Sequence, residues 1–426
     1  MNKYSILLLS LLAIPYNVMA EDQTPIPAGG QNLAEQSNET GDYKDDLFGS
    51  WGGVRTKLKH YGVDVSASET FDVFANVSGG LKRSARAMSY TALNVELDGK
   101  KLTGTEGLTG VFSFFYNNGG RPDADLVGSA QGFDNTETDF NSGILYQAYL
   151  EQQLFGGKAS ILAGIYEVNN EFYVTDSSTL FLNSTFGLGT ELAAGGRNGP
   201  STYPYTSLGT RLKVNPGNDI YLLAGIFDGV PGNPNDPNAN PVGLHSHDGE
   251  LIIGEAGINP GNLKIGVGAW KFTEDKDHFT EIDSSGNAVR KADEGFYVMG
   301  EKEILHQGED RGITAFARFG TADGAVDQFS YAWSGGFTYK GVIQDREDSE
   351  LGLGMTQAHN SRQFKEAAII AGAPVDDNET TLELIYSDKP LPWLTLKPDV
   401  QYIINPGTTS GEHNATVIGI RGNIDL

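Results

Sequence analysis

The sequence predicts an all-β protein, namely a transmembrane antiparallel β-barrel of about sixteen strands with a short N-terminal periplasmic helix. The first observation behind this prediction is that apolar residues recur at every second position in many short segments, as they do along a strand. In the last segment, one face carries Thr416, Ile418, Ile420, Gly422, Ile424 and Leu426, and the opposite face carries Val417, Gly419, Arg421, Asn423 and Asp425. One face therefore suits lipid and the other suits water.

The second observation is that short and long connections alternate along the chain. Short connections include residues 155–158 and two Asn-Pro-Gly-Asn turns at 215–218 and 259–262. Long connections lie at 117–143, 167–207, 228–250 and 273–295. Because outer-membrane barrels have short periplasmic turns and longer outer loops, this alternation favours a barrel over a periplasmic sandwich or propeller.

The period-2 pattern predicts the individual strands. They lie near residues 63–73, 86–97, 108–116, 144–154, 159–166, 208–214, 220–227, 251–258, 263–272, 296–304, 313–319, 331–339, 351–355, 380–387, 394–404 and 415–426. Residues 47–60 precede them and predict the short helix, because Trp51, Val54 and Leu58 recur at helical spacing. The barrel domain thus spans residues 47–426, with strands from residue 63 onwards.

The N-terminal residues predict export. Residues 1–20 resemble a signal peptide, with Lys3 at a positive start, an apolar stretch over residues 6–14 and a small-residue cleavage site ending at Ala20. Residues 21–46 are polar and contain Pro25 and Pro27, which is typical of a flexible leader. Export together with the strand pattern predicts the bacterial outer membrane.

Composition rules out disulfide bonds and disfavours one class of partner. The 426 residues include no cysteine, so nothing in the chain relies on a disulfide. The formal net charge is −25, which disfavours nucleic acid as a partner. Glycine, at 55 residues, is enriched and suits turns, bulges and close strand packing.

A barrel of this size is wide enough to leave an aqueous channel, whose polar lining sets the choice of solute. The pore-lining candidates are the polar residues on the wet faces of the strands and in the nearby loops. They are Lys82, Arg83, Arg86, Asn94, Glu96, Gln147, Tyr149, Glu151, Asn169, Glu171, Arg211, Lys213, Arg318, Lys397, Asp399, Gln401 and Arg421. The alternative for each of them is that it only solvates the wall of the lumen.

Two segments carry sharper hypotheses. Lys82, Arg83 and Arg86 form a basic cluster that either lines a constriction or binds lipopolysaccharide phosphates from outside. The long connection at 167–207 either folds into the lumen and narrows it or forms a mobile exterior flap.

Several motifs resemble those of the carbohydrate-selective porin family. They are Leu47-Phe48-Gly49-Ser50-Trp51-Gly52-Gly53-Val54-Arg55, the stretch Gly164-Ile165-Tyr166-Glu167-Val168-Asn169-Asn170-Glu171-Phe172 with Phe181-Leu182-Asn183-Ser184 after it, and Lys397-Pro398-Asp399-Val400-Gln401-Tyr402-Ile403-Ile404-Asn405-Pro406-Gly407. The resemblance covers about residues 47 to 426 and implies a barrel that passes sugars by diffusion.

The sequence and the resemblance together predict passive uptake of mono- and small oligosaccharides, with no catalytic residue, metal or cofactor. The expected partners are small sugars, outer-membrane lipid, lipopolysaccharide and the barrel assembly machinery, and the barrel is expected to be a monomer or a homotrimer. The alternatives are a general or anion-preferring porin, and less favoured, a barrel hydrolase or an adhesin. No nucleophile turn or phosphate-cradling glycine loop supports a hydrolase.

Overall fold

The computed structural model describes residues 43–233, 247–308 and 311–426. In these residues, sixteen antiparallel strands follow one another around a closed barrel, and the last strand pairs with the first. The barrel prediction is therefore confirmed. The signal peptide predicted for residues 1–20 lies outside the described residues, as does nearly all of the leader predicted for 21–46.

The strands all fall where the alternating pattern placed them. They are β1 Val63–Ser78, β2 Ser84–Asp98, β3 Leu108–Gly119, β4 Gly143–Leu154, β5 Ala159–Tyr166, β6 Ser207–Gly217, β7 Ile220–Asp228, β8 Glu250–Ile258, β9 Leu263–Ile282, β10 Ala288–His306, β11 Gly312–Ala322, β12 Phe329–Lys340, β13 Glu350–Asn360, β14 Asn378–Leu391, β15 Leu394–Ile404 and β16 Ala415–Asp425.

The helices are short and lie in the connections. They are α1 Val54–His60, α2 Gly99–Thr103, α3 Pro122–Leu126, α4 Thr190–Ala193 and α5 Arg362–Ile370. Within the residues described, no helix has both the length and the apolar character needed to cross a bilayer.

The two faces of the last strand separate as the alternation predicts. Ile418 is 44% exposed on the outside, whereas Val417 is fully buried and Arg421 is 2% exposed on the inside. Arg421 stands opposite Asp72 of β1, so the strand that closes the barrel carries its charge inward. An apolar outer face and a polar inner face are what a lipid-embedded barrel requires.

One long connection is shorter than predicted. The sequence predicted a loop over 273–295, but β9 and β10 continue through most of it and leave only residues 283–287 between them. Residues in the added part, such as Glu274, Asp275 and Lys276, are charged on both faces of the hairpin. Since this part carries no lipid-facing apolar residues in alternation, its strands lack the signal used to find the others.

The N-terminal helix is also shorter than predicted. It begins at Val54 and not at Leu47. Gly49, Gly52 and Gly53 have positive φ angles of 55°, 69° and 91°, which belong to turns and not to a right-handed helix. The Gly-rich motif before the helix therefore forms turns.

Helix α1 is attached to the first strand and to the C-terminal residue of the chain. The buried Arg55 side chain donates to the carbonyl oxygens of Val65 at 2.8 Å and Leu426 at 3.2 Å, and it stacks on the Tyr43 ring at 3.7 Å. The first helix and the last strand thus meet at the same end of the barrel as the short turns.

Replacing Ile418 with Arg should impair membrane insertion, because the side chain faces lipid and a cation near the bilayer midplane costs about 2–4 kcal/mol. Ile424→Arg lies on the same face near the end of the strand and should cost about 0–1 kcal/mol. The free energy of unfolding from lipid vesicles, measured by urea titration, checks both. Equal losses of unfolding free energy in the two variants would contradict the expectation that Ile418 lies nearer the bilayer midplane than Ile424.

Candidate functional site

The connection between β5 and β6, residues 167–206, lies inside the barrel, and we call it the inserted loop. Its Phe181 and Phe186 rings pack on Phe316 of β11, with centroids 5.7 and 5.9 Å away. Gly354 of β13 makes room for them, because a Cβ there would lie 2.6 Å from the Phe186 ring. The loop is therefore packed as tightly as a protein core.

Carboxylates that project inward from the strands accept the backbone N–H groups of the loops. The Glu383 oxygens accept from Leu182 N at 2.6 Å and Asn183 N at 3.0 Å. The Glu301 oxygens accept in the same way from Asp176 and Ser177, both at 2.9 Å. Three further residues do the same, and we call the set the wall carboxylates: Glu255, Asp293, Glu301, Glu379 and Glu383.

Arg318 of β11 holds the inserted loop through carbonyl groups. Its guanidinium is 3% exposed and donates to the carbonyl oxygens of Tyr173, Thr185, Phe186 and Gly187. A guanidinium offers five donors in a fixed plane, so a single side chain can satisfy several carbonyls of a curved segment. Arg318 therefore shapes the loop and does not present its charge to the lumen.

A second connection, residues 120–142 between β3 and β4, also enters the barrel, and we call it the companion loop. Arg421 of β16 binds Asp72 of β1 at 2.8 Å and Asp134 of this loop at 2.7 Å. Gln401 of β15 donates to the Phe133 carbonyl at 2.8 Å, and Glu379 accepts from Gln131 N at 3.0 Å. The companion loop is thus attached to the wall by the same kinds of contact.

The two loops leave a cavity of about 1130 Å³ inside the barrel. Strands β1 to β4, β15 and β16 form its wall, and both loops face them across it. Strands β5 to β14 contribute none of its described lining residues, because the inserted loop and the companion loop cover their inner faces. The open part of the lumen therefore runs along one side of the barrel.

Eight of the pore-lining candidates named from the sequence line this cavity. They are Asn94, Glu96, Gln147, Tyr149, Glu151, Asn169, Lys397 and Arg421. The others do not line it. Five of these are buried beneath the loops or against the wall, with side-chain or residue exposures of 5% or less: Glu171, Arg211, Arg318, Asp399 and Gln401.

Arg211 of β6 lies at the centre of an ion-pair network. Its guanidinium binds Glu171 of the inserted loop and reaches Glu151 of β4 at 2.9 Å, while Lys213 binds Glu171 at 3.2 Å. Burial alone would raise the pKa of Glu171, but Arg211 and Lys213 more than offset burial and hold that pKa below its usual value. Arg211 and Lys213 therefore neutralise the negative charge of Glu171 where the inserted loop contacts the barrel wall.

The basic cluster predicted between the first two strands is at the outer rim. Lys82 and Arg83 are exposed in the β1–β2 connection, and neither lines the cavity. Arg86 pairs with Asp125 of α3 at 2.6 Å and is partly exposed. The structure thus separates these three residues from the narrow part of the lumen.

Sequence reasoning did not find the wall carboxylates, although the pattern contained a signal for them. Glu383 lies between Leu382 and Leu384, which are 38% and 47% exposed on the lipid side. Its loop partners are about 200 residues away in sequence, so only the fold reveals them.

Some loop carboxyls are buried enough to change their titration. Burial raises the pKa of Glu191 in α4 to about 7, with Arg318 opposing the shift. Burial likewise raises the pKa of Glu137 in the companion loop to about 7, although the N–H groups of Asp123 and Ala124 oppose it. These groups take up protons near neutral pH because the loops exclude water around them.

The lining offers hydrogen-bond donors and acceptors, such as those of Asn94 and Ser113. Within the described ranges, no three His, Asp or Glu side chains converge in a way that would hold a metal ion. Such a lining can exchange hydrogen bonds with a passing solute.

A closed barrel whose lumen is narrowed by inserted loops defines a diffusion channel of the porin class. The model of the Carbohydrate-selective porin, OprB family matches residues 82–426. The chain belongs to this family of outer-membrane sugar channels. The resemblance predicted from the sequence is therefore confirmed.

Relatives and solved structures agree with this assignment. The chain is 24% identical to Porin B of Pseudomonas aeruginosa, over 88% of this chain and 90% of the relative. It is 21% identical to the putative porin QuiX of Acinetobacter baylyi, over 88% and 91%. The high-pH structure of Pseudomonas putida OprB matches the fold with a TM-score of 0.79 and 23% identity, covering 90% of this chain and 98% of that one.

Arg318→Leu should release the inserted loop, because four carbonyl groups lose their donor. We expect a larger open-channel conductance and faster proteolysis within residues 173–187. Arg311→Leu is the matched control, since Arg311 is exposed and bonds only Tyr339 OH among the described residues. Planar-bilayer recording and limited proteolysis check both variants. An unchanged conductance in Arg318→Leu would show that the loop is held without this side chain.

Glu191→Gln should flatten the pH dependence of loop stability. The ordinary carboxyl pKa is 4.5 and the folded value is about 7, so the folded state holds its proton to higher pH than the unfolded chain does. The stability from this group is therefore complete below the unfolded pKa and is lost as pH rises towards the folded pKa.

Hydrogen exchange of peptides from the inserted loop between pH 5 and pH 8, corrected for the intrinsic rate, measures this dependence. The slope should fall by about one proton in Glu191→Gln. It should not change in Glu106→Gln, whose side chain is 77% exposed. Identical slopes in wild type and Glu191→Gln would contradict the prediction.

Proposed function

We propose that this chain is an outer-membrane channel for passive diffusion of mono- and small oligosaccharides, without cofactor or covalent chemistry. The observation that carries the proposal is the narrow cavity between the loops and strands β1 to β4, which hydroxyl, amide and tyrosine side chains line. Neutral polyols exchange hydrogen bonds with such groups more readily than apolar solutes do.

The size of the cavity supports small solutes. At about 1130 Å³ it is close to the upper end of the pockets that hold single small molecules, about 300–1,000 Å³. A sixteen-stranded barrel without inserted loops would leave a wider aqueous channel. The inserted loop and the companion loop therefore favour a selective channel over a general one.

The disposition of the arginines argues against an anion-preferring porin, and two lysines, Lys44 and Lys397, line the cavity beside them. Arg55 and Arg421 line the cavity, but each is 2% exposed and bound to carboxylates. Arg211 and Arg318 are equally buried and bound to loop groups. Anionic solutes would meet few available guanidinium donors, whereas the lining includes carboxylates such as Glu96.

We also expect export through the predicted signal peptide, insertion by the barrel assembly machinery, and contact of the apolar outer face with lipid and lipopolysaccharide. The exposed ring of large apolar side chains, which includes Leu353, Leu384 and Ile418, supports contact with lipid.

In planar bilayers the wild-type channel should conduct ions, prefer cations in a salt gradient, and lose conductance when glucose or maltose occupies the cavity. The cation preference follows from a lining that carries more carboxylates than available cations. Inorganic phosphate at the same concentration should not block. A channel that ignores a panel of mono- and disaccharides but responds to phosphate would favour the anion-porin alternative instead.

A further inference from the structure

The open part of the lumen is bounded on one side by a row of four uncharged side chains at a single level of the barrel. Ser66 of β1 stands opposite Asn94 of β2, Asn94 opposite Ser113 of β3, and Ser113 opposite Gln147 of β4. Directly opposed residues on antiparallel strands project side by side from the same face. We call these four residues the polar belt.

The length of the belt is set by the spacing of strands. Neighbouring strands lie about 4.8 Å apart, so four side chains on adjacent strands span roughly 14 Å. All four residues line the cavity. The belt therefore presents a continuous strip of hydrogen-bonding groups across the wall and not an isolated polar residue.

The groups of the belt are available to a solute. In the residues described, the side chains of Ser66, Asn94 and Ser113 have no hydrogen-bond partner in the protein, although each lines the cavity. Gln147 accepts from Asn170 Nδ2 at 2.8 Å through its amide oxygen, which leaves its amide nitrogen as a donor. Polar side chains that face an aqueous lumen without a partner in the protein can exchange hydrogen bonds with a solute.

A break in the strand register brings an aromatic ring beside the belt. The pairing of β3 with β4 shifts between Ser113 and Phe114, so that Tyr146 is the extra residue. Tyr146 and Gln147 therefore both line the cavity although they are consecutive. Tyr90 and Tyr203 pack near Tyr146, with the Tyr146 and Tyr203 rings 5.8 Å apart.

The level below the belt carries negative charge. Asp64 and Glu96 stand opposite each other on β1 and β2, and both line the cavity. Asp64 pairs with Lys59 at 2.8 Å, whereas Glu96 is exposed and forms no ion pair with any described residue. A solute on the belt is thus within the field of a carboxylate that accepts hydroxyl hydrogens and repels anions.

We propose that the polar belt is a binding track for neutral sugars, on which hydroxyl groups exchange hydrogen bonds with Asn94, Ser113 and Gln147 while a ring face packs against the neighbouring tyrosines. This inference rests on the proposed function and specifies where in the lumen the sugar is held. Sugars combine hydroxyl edges with apolar C–H faces, which matches a polar strip bordered by aromatic rings. The carboxylate of Glu96 favours neutral sugars over sugar acids on this track.

The test replaces the two amides of the belt by side chains of similar size that cannot form hydrogen bonds, Asn94→Leu with Gln147→Leu. Block of single-channel conductance by glucose should weaken by about tenfold, because two hydrogen bonds to the sugar are lost. Conductance in salt alone is recorded as well, because Gln147→Leu also removes the acceptor of Asn170 in the inserted loop. Asn118→Leu is the control, because Asn118 is exposed on β3 and does not line the cavity.

A second pair of variants keeps the proposal testable if the leucine variants do not fold. Ser66→Ala with Ser113→Ala removes two hydroxyls with almost no change in volume and should weaken the glucose block several-fold. Heat-modifiable electrophoretic mobility verifies folding of each barrel. Glucose block that is the same in the wild type and in every folded belt variant would overturn the proposal.

The charge of the solute gives an independent readout. Glucuronate should block the wild type less than glucose does, and Glu96→Gln should bring the two closer, while Glu106→Gln should not. Equal block by glucose and glucuronate in the wild type would overturn the role of Glu96. A wild-type channel that no sugar blocks would contradict the proposed function itself, whereas wild-type block that survives all belt substitutions would contradict only the track.

Discussion

The pairing of loop backbone N–H groups with carboxylates on the strands determines how the inside of this barrel is built. A loop that enters a lumen carries peptide groups into a space where water is scarce, and each unsatisfied group costs about 1–3 kcal/mol. Glu301 and Glu383 each satisfy two consecutive N–H groups of the inserted loop, and Arg318 satisfies carbonyl groups on either side of them. Because hydrogen bonds to charged groups are the stronger kind, a few wall residues can fix a long segment.

This arrangement divides the inner wall of the barrel into a part that the loops cover and a part that lines the cavity. Along β5 to β14 the inner face is covered by the two loops and includes buried apolar residues such as Leu251, Phe316 and Ile385. Along β1 to β4 part of the inner face lines the cavity and carries polar side chains such as Ser66, Asn94 and Gln147. A barrel wide enough for a general pore thereby becomes a channel of molecular dimensions, while the strands remain a rigid frame.

The strong negative charge of the chain takes on a specific meaning in this context. Many inward-facing acids are not free charges in a water-filled pore, since they serve as acceptors for loop N–H groups or as partners of buried arginines, as Asp72 does for Arg421. The buried arginines are similarly committed. Among the lining carboxylates, Glu96 is the clearest case of one that forms no ion pair with a described residue.

The sequence by itself determined the barrel, its strand order and the lipid-facing register of β16, because lipid on one side and water or polar contacts on the other impose a period of two that is local in the chain. It did not reveal the extension of β9 and β10, where both faces are charged and that period disappears. Nor did it distinguish Asn94, which is open to the lumen, from Arg318, which is buried beneath the inserted loop. Both residues lie on the inner faces of their strands. The inserted loop is more than a hundred residues away from Arg318 in sequence, and its contacts bury that side chain. Only the tertiary structure therefore decides which polar residue faces the lumen and which one holds a loop in place.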